Sequence, residues 1–80
     1  MIQQIINKGS YKFEGDLQDF KQCISSFKVT KVIHDGECLG VKIFEAIGKF
    51  KYHGETHKIQ INKSWKEERI LFIKYLGGYQ

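Results

Sequence analysis

His53 and His57 are the two side chains best suited to binding a metal ion, since they stand four residues apart with Glu55 between them. The zinc-protease motif uses this spacing, but it requires a helix and a Glu directly after the first His. Here Gly54 follows His53, and a Gly in a short polar segment is typical of a turn. We therefore expect no metal site and no cofactor, and we interpret both histidines as solvated turn residues.

A second group of residues has the types used in nucleophilic catalysis. His34, Asp35 and Cys38 could supply a base, an orienting carboxylate and a nucleophile. A tight turn at this point gives the three side chains no common cleft, and no nearby pattern supplies an oxyanion hole. Glu67 and Glu68 are adjacent and point apart, so they form no carboxylate pair. The sequence therefore predicts that the chain is not an enzyme.

Basic and aromatic residues cluster in one stretch of the chain. The cluster comprises Lys49, Lys51, Tyr52, His53 and Lys58. Lysines beside aromatic residues are typical of surfaces that bind single-stranded nucleic acid. In a strand, however, Lys49 and Lys51 point away from Phe50 and Tyr52. All but one of the 13 basic residues are Lys, which lacks the planar fork of Arg. Binding of single-stranded nucleic acid or a nucleotide is therefore the alternative function.

Two long strands joined by a turn are predicted to position this cluster. Apolar and polar side chains alternate from Leu39 to Tyr52 and again from His57 to Asn62, and this period of two indicates strands. The apolar row changes parity near Glu45, which predicts a bulge or bend, and Gly48 is the position that would tolerate it. We therefore expect either one long bent strand or two strands that meet at Gly48. The polar segment 53–56 predicts a hairpin turn.

One amphipathic helix is predicted at about residues 16–27. Asp16 suits the N-cap position, where its carboxylate can accept from free backbone amides. Apolar residues then follow at spacings of three and four, namely Leu17, Phe20, Ile24 and Phe27. This apolar side is expected to pack on one face of the sheet, with Cys23 buried beside it.

The segments on either side of this helix are predicted to be strands. Lys28 to His34 has strand character, and Asp35-Gly36 predicts a hairpin whose loop of two or three residues leaves the register open. Tyr11 to Glu14 is also predicted to be a strand. An apolar segment from Ile2 to Ile6 precedes this strand, and turn residues at 7–10 lie between them. The two segments are therefore interpreted together as an edge strand or a hairpin.

The C-terminal segment fits two structures. A capping box at its start and Gly77-Gly78 near its end favour a helix from Trp65 to Leu76. Apolar residues on all sides, mostly β-branched or aromatic, favour a strand from Arg69 to Leu76 that is covered on both faces. We favour the strand, with residues 64–68 as the connecting turn.

A strand that is apolar on both faces also predicts association with another molecule, since one helix can shield only one face. In a homodimer the same patch would contact itself across a two-fold axis. The expected anchors are the aromatic residues Trp65, Phe72 and Tyr75. The predicted function is therefore a small non-enzymatic protein-binding module, a regulator or inhibitor, whose partner is another protein or a second copy.

Composition predicts a single α+β domain over residues 1–80. With 41% hydrophobic residues the chain can form a core, and the pattern predicts an antiparallel sheet of four or five strands with the helix on one face. No apolar run approaches the roughly twenty residues that span a bilayer, and the N-terminus lacks the basic start of a signal peptide. We expect a cytoplasmic protein with no membrane partner and with Cys23 and Cys38 reduced and buried. The Lys-rich, Arg-poor composition is typical of AT-rich bacterial or phage genomes.

Overall fold

The computed structural model describes residues 1–63 and 69–79. Its two short helices are α1 (Ile2–Lys8) and α2 (Leu17–Cys23). Its five strands are β1 (Ser10–Glu14), β2 (Lys28–Cys38), β3 (Val41–Tyr52), β4 (Glu55–Lys63) and β5 (Ile70–Tyr79). All pairings are antiparallel, and the strand order is β1-β5-β4-β3-β2. The predicted α+β class and antiparallel sheet are confirmed.

The predicted hairpin at the centre of the chain is confirmed as β3 and β4. Pairing runs without interruption from Phe44 opposite Lys63 to Tyr52 opposite Glu55. The pairing of β3 with β4 is regular across Gly48, and the nearest irregularity is in β2 between Val29 and Lys31, opposite Gly48 and Ile47. Gly48 serves close packing: a Cβ there would lie 2.5 Å from the ring of Phe27.

The turn between β2 and β3 lies four residues later than predicted. Asp35-Gly36 is inside β2, and the turn is formed by Leu39 and Gly40, both with positive φ (53° and 78°). His34 pairs with Glu45, so the hairpin has neither a two-residue nor a three-residue loop at Asp35-Gly36. The Asp-Gly pair is a local turn preference, and the strand pairing on either side of it prevails here. Within the described residues, β3 pairs with β4 from residue 44 onward, while β2 and β3 pair with each other over residues 35–43, here called the β2–β3 arm.

The N-terminal segment forms helix α1, whereas an edge strand or hairpin was predicted. Ile2, Ile5 and Ile6 follow helical spacing, and Ile5 is fully buried. Gly9 ends the helix in the left-handed conformation (φ 77°), and its N–H donates to the carbonyl of Ile5. The residues interpreted as a strand turn are therefore a helix C-cap. The sheet is covered by two helices and not by one.

Helix α2 begins as predicted and ends earlier than residue 27. The carboxylate of Asp16 accepts from the N–H of Asp19, and the Asp19 carboxylate accepts from the N–H of Asp16, each at 3.0 Å. The Asp19 backbone N–H holds the pKa of Asp16 below its usual range. After the last helical residue, Cys23, the chain turns and still buries Ile24 and Phe27. Cys23 itself is exposed, which corrects the prediction that it is buried.

The core lies between the two helices and one face of the sheet, here called the core face. Its most deeply buried large side chains are Ile5, Phe20, Phe50, Ile59, Ile61 and Leu71. Phe20 makes edge-to-face contacts with Phe13 and Phe27, with ring centroids 5.3 and 5.1 Å apart. In the part of the chain that the structure describes, no helix is long and apolar enough to cross a membrane.

Candidate functional site

The sheet face opposite the helices is rich in lysine, and we call it the lysine face. Directly paired residues of antiparallel strands point to the same side, so the register identifies its members. Its lysines are Lys12, Lys28, Lys31, Lys49, Lys51, Lys58 and Lys74. Every strand of the sheet contributes at least one of them. Six are exposed and Lys58 is partly buried.

Three of these lysines form a row across neighbouring strands. Lys28 of β2 pairs with Lys49 of β3, which pairs with Lys58 of β4. Neighbouring strands lie about 4.8 Å apart, and like charges directly opposite each other destabilise a sheet. The row therefore concentrates positive charge at some expense of stability.

Few negative charges offset the lysines on this face. Among the described residues, its carboxylates are those of Glu14 and Glu45. Glu45 accepts a hydrogen bond from the amide of Gln60. None of the seven lysines lies within 4.0 Å of a carboxylate of residues 1–63 or 69–79. Their charges are therefore available to an anionic ligand.

The aromatic ring of Phe72 lies among the lysines. Phe72 of β5 pairs with Lys12 of β1 on one side and with Asn62 of β4 on the other. The Nζ atom of Lys12 lies 5.3 Å from the centre of the Phe72 ring. Phe72 is partly exposed. The lysine face thus offers a ring and an amide together with its charges.

The predicted basic cluster is divided between the two faces and a turn. Lys49, Lys51 and Lys58 lie on the lysine face. Tyr52 lies on the core face, where its hydroxyl donates to the side-chain oxygen of Gln3 at 2.9 Å. His53 is exposed in the turn between β3 and β4. The aromatic neighbour of the lysines is therefore Phe72 and not Tyr52.

The three predicted aromatic anchors do not form one patch in the described residues. Phe72 lies on the lysine face, whereas Tyr75 lies on the core face and contacts buried residues. Trp65 lies outside the described residues, as does the predicted connecting turn 64–68. Since β5 pairs with β1 and with β4, neither of its edges is open to a second copy along residues 71–74.

The two histidines considered for metal binding have different environments. His57 is only 4% exposed, and its Nδ1 atom lies 2.8 Å from the Tyr75 hydroxyl. Its Nε2 atom is buried, lies 3.6 Å from the Glu55 carboxylate and has no hydrogen-bond partner among the described residues. His57 is therefore a core residue, which corrects its interpretation as a solvated turn residue. Among residues 1–63 and 69–79, no group of three potential ligands could hold a metal ion.

Four lysines of this face were missed by sequence reasoning, namely Lys12, Lys28, Lys31 and Lys74. Alternation within β1 predicts that Lys12 points to the side opposite Tyr11 and Phe13, between which it stands. Lys74 is the lone charge in a largely apolar strand. The side of one strand can be predicted from such alternation, but assembling the face also requires the strand order and the register.

A comparison of the chain with models of protein families, with curated proteins and with solved structures found no match. Function is therefore inferred from the placement and chemistry of the side chains.

Proposed function

We propose that this chain is a non-enzymatic protein that binds nucleic acid through its lysine face. The observation that carries the proposal is the row formed by Lys28, Lys49 and Lys58, with four further lysines around it on the same face. Phosphate groups placed over such a row would relieve the repulsion between the lysines and release counterions from the nucleic acid. The ligand would then supply the negative charge that this face lacks.

Nucleic acid is a better ligand for this face than an anionic surface that has no bases would be. Between the lysines lie the ring of Phe72 and the amides of Gln60 and Asn62, which are groups that stack on bases or bond to their edges. Lysine ammonium groups contact phosphates as point charges and do not select a base by themselves. The affinity for nucleic acid should therefore depend strongly on salt concentration and weakly on the nucleotide sequence.

The proposal is tested by measuring the affinity for a fluorescently labelled single-stranded oligonucleotide, using anisotropy at low salt. The variant replaces Lys28, Lys49 and Lys58 with Gln. The control replaces three lysines outside the lysine face with Gln, namely Lys21, Lys42 and Lys63, so that net charge changes equally. We expect the first variant to lose affinity by about tenfold or more and the control to lose much less. Equal losses, or no binding by the wild type, would contradict the proposal.

A second candidate function, the binding of another protein, is favoured by the β2–β3 arm. Leu39 at its tip is 98% exposed, and Val32 and Ile33 near its base are 52% and 44% exposed. A groove of about 810 Å³ lies between the arm and the start of α2. Its lining includes apolar residues, three carboxylates and two lysines, so that negative charges outnumber positive ones by one; these residues are Leu17, Val41, Ile43, Phe44, Leu71, Asp16, Asp35, Glu37, Lys42 and Lys63. We propose that its occupant is a partner segment with apolar and basic side chains.

This second function is tested with peptides that alternate apolar and basic residues. Binding should shift the NMR signals of Leu17 and Ile43, and Ile43→Asp should abolish the shifts. An acidic peptide of equal length is the control. Sedimentation of the free protein at high micromolar concentration tests the predicted homodimer. A dimer that shows no peptide-induced shifts at Leu17 and Ile43 would contradict the peptide proposal.

A further inference from the structure

A shallow depression lies at the edge of the lysine face beside Phe72. Its volume is about 630 Å³. It is lined by the lysines Lys8, Lys12 and Lys74, together with Ser10, Asn62 and Phe72. Among the described lining residues there is no carboxylate. The depression therefore combines concentrated positive charge with the aromatic ring of Phe72.

The ring of Phe72 is partly exposed on the lysine face. It points away from the core, and Lys12 approaches it with the Nζ atom 5.3 Å from the ring centre. A lysine side chain is long and mobile, so it can leave the ring and turn to a phosphate at little cost. A planar base could then occupy the position over the ring, where stacking is favourable for every base.

The side-chain amides of Gln60 and Asn62 lie next to Phe72, and one of them is already held by a hydrogen bond. The Nε2 group of Gln60 donates to Glu45, and it lies 3.5 Å from the Oδ1 atom of Asn62. Asn62 is paired with Phe72 across the strands. Its Oδ1 atom faces Gln60, and its NH₂ group donates to no acceptor among the described residues. An amide donor beside a stacked base can bond to an acceptor on the base edge.

We propose that this depression holds one nucleotide of a single strand, with the base stacked on Phe72 and the phosphate held by Lys8, Lys12 and Lys74. This inference rests on the proposed nucleic-acid binding and specifies the form of the ligand. A base inside a duplex is stacked on its neighbours and cannot lie on a protein ring. The depression would therefore make the protein prefer single strands, whereas the row of Lys28, Lys49 and Lys58 would attract both forms.

The test compares wild type, Phe72→Leu and Phe72→Tyr for affinity to a single-stranded oligonucleotide and to a duplex of equal length at one salt concentration. Leucine keeps the apolar volume without the ring, and tyrosine keeps the ring. Melting temperatures of the three proteins establish that each is folded. We expect Phe72→Leu to lose about tenfold for the single strand and little for the duplex, as for one base stack. Phe72→Tyr should retain the wild-type preference.

The outcomes separate this inference from the function on which it rests. If wild type and Phe72→Leu bind the single strand equally, with affinity that falls with salt, the stacking site is wrong and the binding function stands. If the wild type binds neither nucleic acid, both are wrong. If the loss is equal for single strand and duplex, Phe72 supports the face without stacking on a base, and the inference is overturned.

Discussion

The two faces of the same sheet differ in almost every property. The core face is covered by α1 and α2 and buries rings and branched aliphatic chains, among them Phe20, Phe50 and Ile61. The opposite face carries seven lysines, and two of its neighbouring pairs place lysine directly against lysine. Alternation along each strand allows the two faces to differ in this way. Stability should therefore depend on the core face and ligand binding on the lysine face.

The largest effect is expected for a phenylalanine of the core, which is compared here with Phe72 of the lysine face. Phe20→Ala should lower the free energy of unfolding by about 3 to 5 kcal/mol, because it removes a fully buried ring that packs on Phe13 and Phe27. Phe72→Ala should lower it less, by about 1 to 2 kcal/mol, since this ring is only partly buried. Urea unfolding of both variants gives the values. Similar losses would mean that the lysine face also carries packing essential to the fold.

A second comparison concerns two glycines. Gly48→Ala should cost about 1 to 3 kcal/mol, because the added Cβ would lie 2.5 Å from the Phe27 ring and 2.7 Å from the carbonyl oxygen of Lys28. Gly36→Ala is the matched control, since nothing lies within 4 Å of its added Cβ. Its melting temperature should stay close to that of the wild type. A folded Gly48→Ala protein of wild-type stability would show that Phe27 does not pack on β3 as described.

A smaller effect is expected for the hydrogen bond between His57 and Tyr75. Tyr75→Phe removes the hydroxyl that lies 2.8 Å from Nδ1 of His57 and leaves a buried ring without that partner. The cost should be about 1 to 2 kcal/mol, measured by urea unfolding. Nucleic-acid binding should not change, because both residues lie on the core face. A loss of binding with unchanged stability would contradict the separation of the two faces.

The smallest expected change in stability has the opposite sign. Lys49→Gln removes the central charge of the row and should raise the free energy of unfolding by about 0.2 to 1 kcal/mol. The same change should weaken nucleic-acid binding. Ser25→Gln, at an exposed site outside both faces, controls for the introduction of an amide. A destabilised Lys49→Gln protein would show that this lysine stabilises the fold and does not serve a ligand.

Much of the fold could be predicted from local patterns. Alternation located β3 and β4, and the N-cap Asp16 with the buried residues Phe20, Ile24 and Phe27 located α2. The short helix α1 was missed because three isoleucines give too few positions to distinguish a helical period from a strand. Where local and long-range preferences competed, as at Asp35-Gly36, the pairing of β2 with β3 decided the position of the turn.

The candidate site was harder to predict, because it depends on contacts between distant parts of the chain. Lys49, Lys51 and Lys58 were identified because they stand close together in the sequence. Phe72 was identified as a possible anchor for a protein partner, and its position beside Lys12 follows only from the order β1-β5-β4. Parity showed that Tyr52 points away from the lysines, but it could not show which ring replaces it.

The central claim is that the lysine face contacts phosphates, and the most direct test is the dependence of affinity on salt. The affinity of wild type and of the variant with Lys28, Lys49 and Lys58 replaced by Gln is measured for one single-stranded oligonucleotide between about 50 and 200 mM salt. With three fewer phosphate contacts, the slope of log affinity against log salt should become shallower by about 2. Identical slopes for the two proteins would contradict the claim.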